Sequence, residues 1–199
     1  MEKEDIILKN IENLIPDYDI FKKRIIDHVQ KYYFPLIYQS LYEQIMPQKN
    51  NRISTENFKG LLNNNFLKLL NDLYRTRLSN NAFPIIRKRL EKVKDFDDYN
   101  KVLKQFEKCN KTKKRMKNAF SFGTKVLHTY NPKENPIMDS VIRKNLEIKT
   151  QLNVELCMDL KKAMNRFVNE HKGYFSSFKN SKINSDELRK PNLESKSPE

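Results

Sequence analysis

The chain has 199 residues, a length that suits one domain. Hydrophobic residues make up 38%, with 12 Phe and 9 Tyr, which is enough apolar bulk for a core and excludes wholesale disorder. Three glycines are too few for a glycine-rich Rossmann or Walker loop, and 39 Lys plus Arg against 25 Asp plus Glu leave a net charge of +14. That charge selects a polyanionic partner, since basic surfaces bind nucleic acid by neutralising phosphates and releasing counterions. An acidic membrane fits less well: no segment pairs a basic face with an exposed apolar face, and no apolar run reaches membrane-spanning length. The plainer origin of the charge is the AT-rich coding bias that crowds a sequence with Lys, Asn and Ile.

The amino terminus MEKEDIILKN lacks a signal-peptide core, and Cys109 and Cys157 stand alone, with no CxxC. Together these predict a cytoplasmic protein without disulfides, metal or organic cofactor. His28, His128 and His171 are scattered.

Helical periodicity runs through the chain. Ile7, Ile11, Leu14 and Ile15 form one stripe, stopped at Pro16 and Asp17. Phe21, Ile25, Val29, Tyr32 and Leu36 predict a second helix, kinked at Pro35 and extended through Leu41 and Ile45 to Pro47. After a polar loop, Ser54 is the N-cap of a third helix carrying Phe58, Leu61, Leu62, Phe66, Leu69, Leu70 and Leu73. Pro84 fits the first turn of a helix with Ile85, Ile86, Leu90 and Val93 inward. Asp95 or Asp97 caps the next, with Tyr99, Val102, Leu103 and Phe106. A short helix over 113–119 precedes a turn, a helix and a stop in FSFGTKVLHTYNP. Asp139 caps a helix through Val141, Ile142 and Leu146, and a long last helix carries Leu152, Leu156, Leu160, Met164 and Phe167. No run alternates with period two, so the predicted fold is all-α: one helical domain over 1–179 and a polar, disordered tail over 180–199.

The stretch Ala119 to Leu146 carries the most chemistry. Ser121-Phe122-Gly123 reads as a tight hairpin, Lys125 follows it, and Pro136-Ile137-Met138-Asp139 leads into Ser140-Val141-Ile142-Arg143. This pattern resembles the helix–hairpin–helix DNA glycosylase superfamily. There a Gly-x-Gly hairpin precedes a lysine, and a Pro-Val-Asp-like element opens a later helix. The endonuclease III branch is excluded because its cluster-binding cysteines are missing; the remaining match is to a divergent 8-oxoguanine-glycosylase-like domain. The resemblance implies a compact all-α domain with the helix–hairpin–helix near residues 112–130. It also implies double-stranded DNA as partner, with the target nucleotide everted. Lys125 and Asp139 would be the catalytic pair, and Ser121, Gly123 and Thr124 would face a phosphate at the hairpin. Lys113, Lys114, Arg115, Lys117 and Arg143 would add DNA contacts.

The residue types make chemical sense by themselves. An amine that attacks a sugar carbon must be neutral, which burial or neighbouring cations promote. A carboxylate beside it stabilises the positive charge left on the sugar and moves protons. Lys125 is placed at a helix start, and the seven residues from Pro132 to Met138 give the chain room to bring Asp139 back to it. His128, three residues after Lys125, shares its helix face and is the candidate for substrate contact. The aromatic run Tyr32 to Tyr42 offers rings for stacking on an everted base.

Each residue also has a structural reading. Lys125 is one lysine among many, Asp139 a plain N-cap, Gly123 a helix C-cap, His128 a hydrogen-bonded structural histidine, and Lys111 to Lys117 a solvated face. Two other functions follow from those readings. One is a basic helical module that binds DNA or RNA without chemistry, and the other a helical scaffold for an acidic protein.

Overall fold

The computed structural model describes residues 2–31, 54–112, 116, 119–132, 134–150 and 152–180. Among these, regular structure is helical and no strand occurs, as the periodicity predicts. The helices are α1 (Lys3–Leu14), α2 (Tyr18–Lys31), α3 (Thr55–Leu61), α4 (Asn64–Leu73), α5 (Phe83–Leu90), α6 (Tyr99–Thr112), α7 (Ala119–Tyr130), α8 (Ser140–Asn145), α9 (Val154–Glu170) and α10 (Lys172–Asn180). No helix among the described residues is long and apolar enough to cross a membrane.

The apolar stripes decide the packing. Ile7, Leu8 and Ile11 bury one face of α1, which lies along α9, where Leu156, Leu160, Ala163 and Phe167 point inward. At the rim, Arg166 reaches Glu4 at 3.1 Å and Asp5 at 2.9 Å, fixing the register of the two helices. Both pairs are partly exposed, so apolar burial, at roughly 1.5–3 kcal/mol per large side chain, dominates this contact. The α6–α7 pair forms the centre, with α5 and α9 packed on α6 and α4 on α7. Within the same core, Phe58, Phe96 and Tyr130 pack with ring centroids 5.1 to 5.6 Å apart, and the Tyr130 hydroxyl donates to Asp97 Oδ1 at 3.0 Å.

Three boundaries differ from the periodic reading. The helix expected from Ser54 to Leu73 is two helices. Ser54 does cap α3, but Asn63 Oδ1 accepts from the Phe66 amide at 2.9 Å and starts α4. The helix after Pro84 ends at Leu90, and Val93 is buried from the following turn. The α6 cap is Asp98, whose carboxylate accepts from the Lys101 amide at 2.9 Å, while Asp95 accepts from the Asp97 amide. The extension of the second helix beyond residue 31, the aromatics Tyr32 to Tyr42, most of the expected 113–119 helix and the 180–199 tail beyond Asn180 lie outside the described residues.

Gly123 is a packing residue. α7 already begins at Ala119, so Ser121-Phe122-Gly123 is helical and is not a hairpin turn, and no described glycine has positive φ. A Cβ on Gly123 would lie 2.5 Å from Cγ and Cδ2 of Phe106, itself buried against Phe122. Absence of a side chain therefore lets α6 and α7 approach. Gly123→Ala should destabilise the fold by about 1–3 kcal/mol, whereas Gly60→Ala, on open space in α3, should stabilise it by roughly 0.5–1 kcal/mol. Thermal unfolding of the two variants reads the opposite signs; equal melting temperatures would contradict the close-packing account.

Candidate active site

Lys125 sits in the second turn of α7, not at its start, and is 5% exposed. The chain after Tyr130 is folded back on the same helix by side-chain bonds. Asn131 continues the helical hydrogen bonding to Leu127 at 3.0 Å, and the Asn135 amide bonds Asn131 at 2.9 Å. Asn135, 4% exposed, donates from Nδ2 to the Leu127 carbonyl at 3.0 Å and accepts from Lys161 Nζ at 3.2 Å. His128 Nδ1 donates to the Asn135 carbonyl at 2.8 Å. Pro136 to Met138 then runs without regular structure back along α7.

Thr124 fixes the end of that return. Its Oγ1 accepts from the Met138 amide at 3.1 Å, and its own proton faces the Ser121 carbonyl at 2.8 Å and the Met138 carbonyl at 3.2 Å. The next residue in each segment is a member of the candidate pair. Asp139 Oδ1 accepts from the Val141 and Ile142 amides, each at 3.0 Å, and caps α8. Asp139 Oδ2 lies 3.6 Å from Lys125 Nζ. Capping and pairing therefore use different oxygens of one carboxylate.

The pair is asymmetric in exposure, with 6% of the Lys125 side chain and 26% of the Asp139 side chain open to solvent. Burial pushes the Lys125 pKa below the ordinary lysine value, and Asp139 opposes that shift by favouring the charged amine. At 3.6 Å the contact is longer than a good hydrogen bond, so the carboxylate offsets only part of the desolvation. The ring of Tyr74, at the end of α4, lies 5.6 Å from the ammonium. The site is thus a buried amine whose pKa is lowered by desolvation, an acid beside it and an aromatic wall.

The other predicted residues take different places. Ser121 is half-buried in the first turn of α7, Gly123 meets Phe106, and Thr124 is fully buried on Met138, so none of the three forms a hairpin. All three lie within the helix, because it begins at Ala119 and not at Lys125, where the motif reading places its start. His128 is mostly enclosed, and burial lowers its pKa. Its Nδ1 bond to the returning loop gives it a structural role. Arg143 donates to the Thr150 carbonyl at 3.1 Å and closes the turn after α8. Lys113, Lys114, Arg115 and Lys117 lie outside the described residues. Thr124 as a positioning residue, Asn135 and Tyr74 escaped the sequence reading, which looked for exposed phosphate ligands.

Two other groupings lie elsewhere. A cleft of about 460 Å³ between the α5–α6 linker and α6 is lined by Lys92, Lys94, Lys101, Lys104 and Lys108, with Asp95 and Asp98, and contains neither Lys125 nor Asp139. Glu12, Glu170 and His171 bring ligand-type atoms within 4.8 Å of one another. His171 there stacks on Phe167 at 4.5 Å and pairs with Glu12 at 3.7 Å, a helix-packing role. No protein-family model matches the chain, and neither a curated protein nor a solved structure shows significant similarity to it.

Proposed function

We propose that the chain is a DNA N-glycosylase with associated lyase chemistry, acting through Lys125 with Asp139 as its proton-transfer and electrostatic partner. The carrying observation is the 3.6 Å approach of a buried amine to a partly exposed carboxylate that the chain returns to it across fourteen positions. The resemblance of Lys125, Pro136, Asp139 and Arg143 to the helix–hairpin–helix glycosylase pattern supplies the substrate class, and the +14 charge agrees with it.

The chemistry runs as follows. Asp139 takes a proton from the Lys125 ammonium. The freed amine attacks C1′ of an everted nucleotide, and the bond to the base breaks as the carbon–nitrogen bond forms. The base leaves with the bond's electron pair and receives the proton from Asp139. The C1′–O4′ bond then breaks, the ring oxygen leaves with the electron pair and takes up the proton lost by the amine nitrogen, and a Schiff base forms between Lys125 and C1′. Loss of a C2′ proton expels the 3′ phosphate, and water releases the lysine. An approaching sugar meets the more exposed carboxylate first.

The test is base release from a panel of duplexes, each carrying one modified or mismatched base. Release from at least one, lost in Lys125→Ala, is expected; binding without release from any would contradict the proposal. That contrary result would favour a second reading, a basic helical module that binds nucleic acid without chemistry. The lysine-lined cleft, which excludes the catalytic candidates, supports that alternative.

A further inference from the structure

The turn that carries Tyr74 holds two arginines in a constrained presentation. α4 ends at Tyr74, and the chain bends there with Arg75 at φ 48° and Arg77 at φ 59°, the left-handed region that favours glycine. Arg75 closes the helix, with its amide on the Asp72 carbonyl at 3.2 Å and the Thr76 amide on the Asn71 carbonyl at 3.0 Å. No such helix-terminating pattern accounts for Arg77. Its conformation is imposed from both sides by the buried side chain of Asn71, whose Oδ1 accepts from Thr76 Oγ1 and from the Leu78 amide, each at 2.8 Å. Thr76 and Leu78 are thereby anchored in the core, and Arg75 and Arg77 are left exposed. Neither arginine forms an ion pair with a carboxylate among the described residues.

We propose that this turn is a phosphate clamp, with Arg75 and Arg77 gripping the nucleic-acid backbone beside the nucleotide presented to Lys125. The inference rests on the reading of the Lys125–Asp139 site for its substrate class. Position carries it: the Tyr74 ring lies 5.6 Å from the Lys125 ammonium, so the residue next to Arg75 is a wall of the candidate site. Guanidinium groups match phosphate oxygens bidentately, and a rigid backbone reduces the ordering cost of such contacts. Strained non-glycine residues gather where function holds them, which explains two arginines at positions glycine would occupy with less strain.

The experiment compares four proteins: wild type, Arg75→Gly/Arg77→Gly, Arg75→Lys/Arg77→Lys, and Lys162→Ala/Lys172→Ala, which removes equal charge from exposed positions on α9 and α10. Each is titrated with a short duplex carrying a tetrahydrofuran abasic analogue over a range of salt, and its melting temperature is measured. The glycine variant should bind at least ~10-fold more weakly at low salt, with a salt slope shallower by roughly 2. It should melt no lower than wild type, because glycine relieves the left-handed strain. The lysine variant should recover part of the affinity, and the control variant should lose little. Wild-type affinity and slope in the glycine variant, or an equal loss in the control, would overturn the clamp. If wild type binds and depends on the arginines yet releases no base, the clamp stands and the glycosylase reading falls. If it releases base and the glycine variant binds normally, the reverse holds; no binding by wild type overturns both.

Discussion

Lys125→Met should abolish base release, by ~10³-fold or more, while the variant melts at or above the wild-type temperature. The first half follows from removing the amine proposed to attack the sugar. The second follows from burial. Lys125 is 5% exposed, and its ammonium keeps one carboxylate contact at 3.6 Å in exchange for its hydration. Methionine fills similar space without that desolvation cost, and Asp139 retains its two amide bonds on α8 when the lysine is gone. The sign with pH is definite. Because the native pKa is lowered, between it and the ordinary lysine value the unfolded chain binds more protons than the folded one. Wild-type stability therefore rises with pH through that window. The methionine variant lacks this term, so its advantage should be larger at neutral than at alkaline pH and shrink as pH rises toward the unfolded lysine value. Urea unfolding of both proteins at neutral and alkaline pH measures the difference. A methionine variant that is clearly less stable at neutral pH would show that the lysine is a structural ion-pair partner.

Asp139→Asn should lose ~10²–10⁴-fold in turnover with little change in DNA affinity or melting temperature. Asparagine caps a helix about as well as aspartate, so the two bonds to Val141 and Ile142 survive. Asp139→Ala should lose turnover similarly and in addition cost about 1 kcal/mol of stability through the missing cap. The comparison separates the two oxygens: Oδ1 serves the fold and Oδ2 the amine. Removing the carboxylate also removes the group that raises the Lys125 pKa, so any residual activity should begin its rise at lower pH than wild type. Full turnover in the asparagine variant would assign Asp139 to capping alone.

The helices were legible where one residue class dominates a face. The stripes of α1, α6 and α9 predict the elements and most of their buried sides, although Met164 of the α9 stripe is exposed and Leu8 of α1, outside the predicted stripe, is buried. Boundaries set by local competition were not: Asn63 interrupts a continuous apolar pattern because its side chain satisfies an amide as well as the next helical turn would. The Lys125–Asp139 approach could be anticipated from the length of the return, because the seven residues from Pro132 to Met138 suffice to reverse direction. What holds that approach was hidden. Thr124 and Asn135 act through buried hydrogen bonds to backbone groups on other turns of the chain, and no periodicity or composition marks them. Gly123 was misplaced for a related reason. A glycine in the run Ser121-Phe122-Gly123-Thr124 reads as a turn, and only the position of Phe106 on the neighbouring helix shows that it is there to be small.

The most direct measurement is borohydride trapping of the full chain on a lesion-containing duplex, followed by mass mapping of the cross-linked peptide. A Schiff base that forms during base removal is reduced to a stable adduct, and the account places that adduct on Lys125, with none in Lys125→Ala. An adduct mapped to another lysine, or one that persists when Lys125 is replaced, would contradict it.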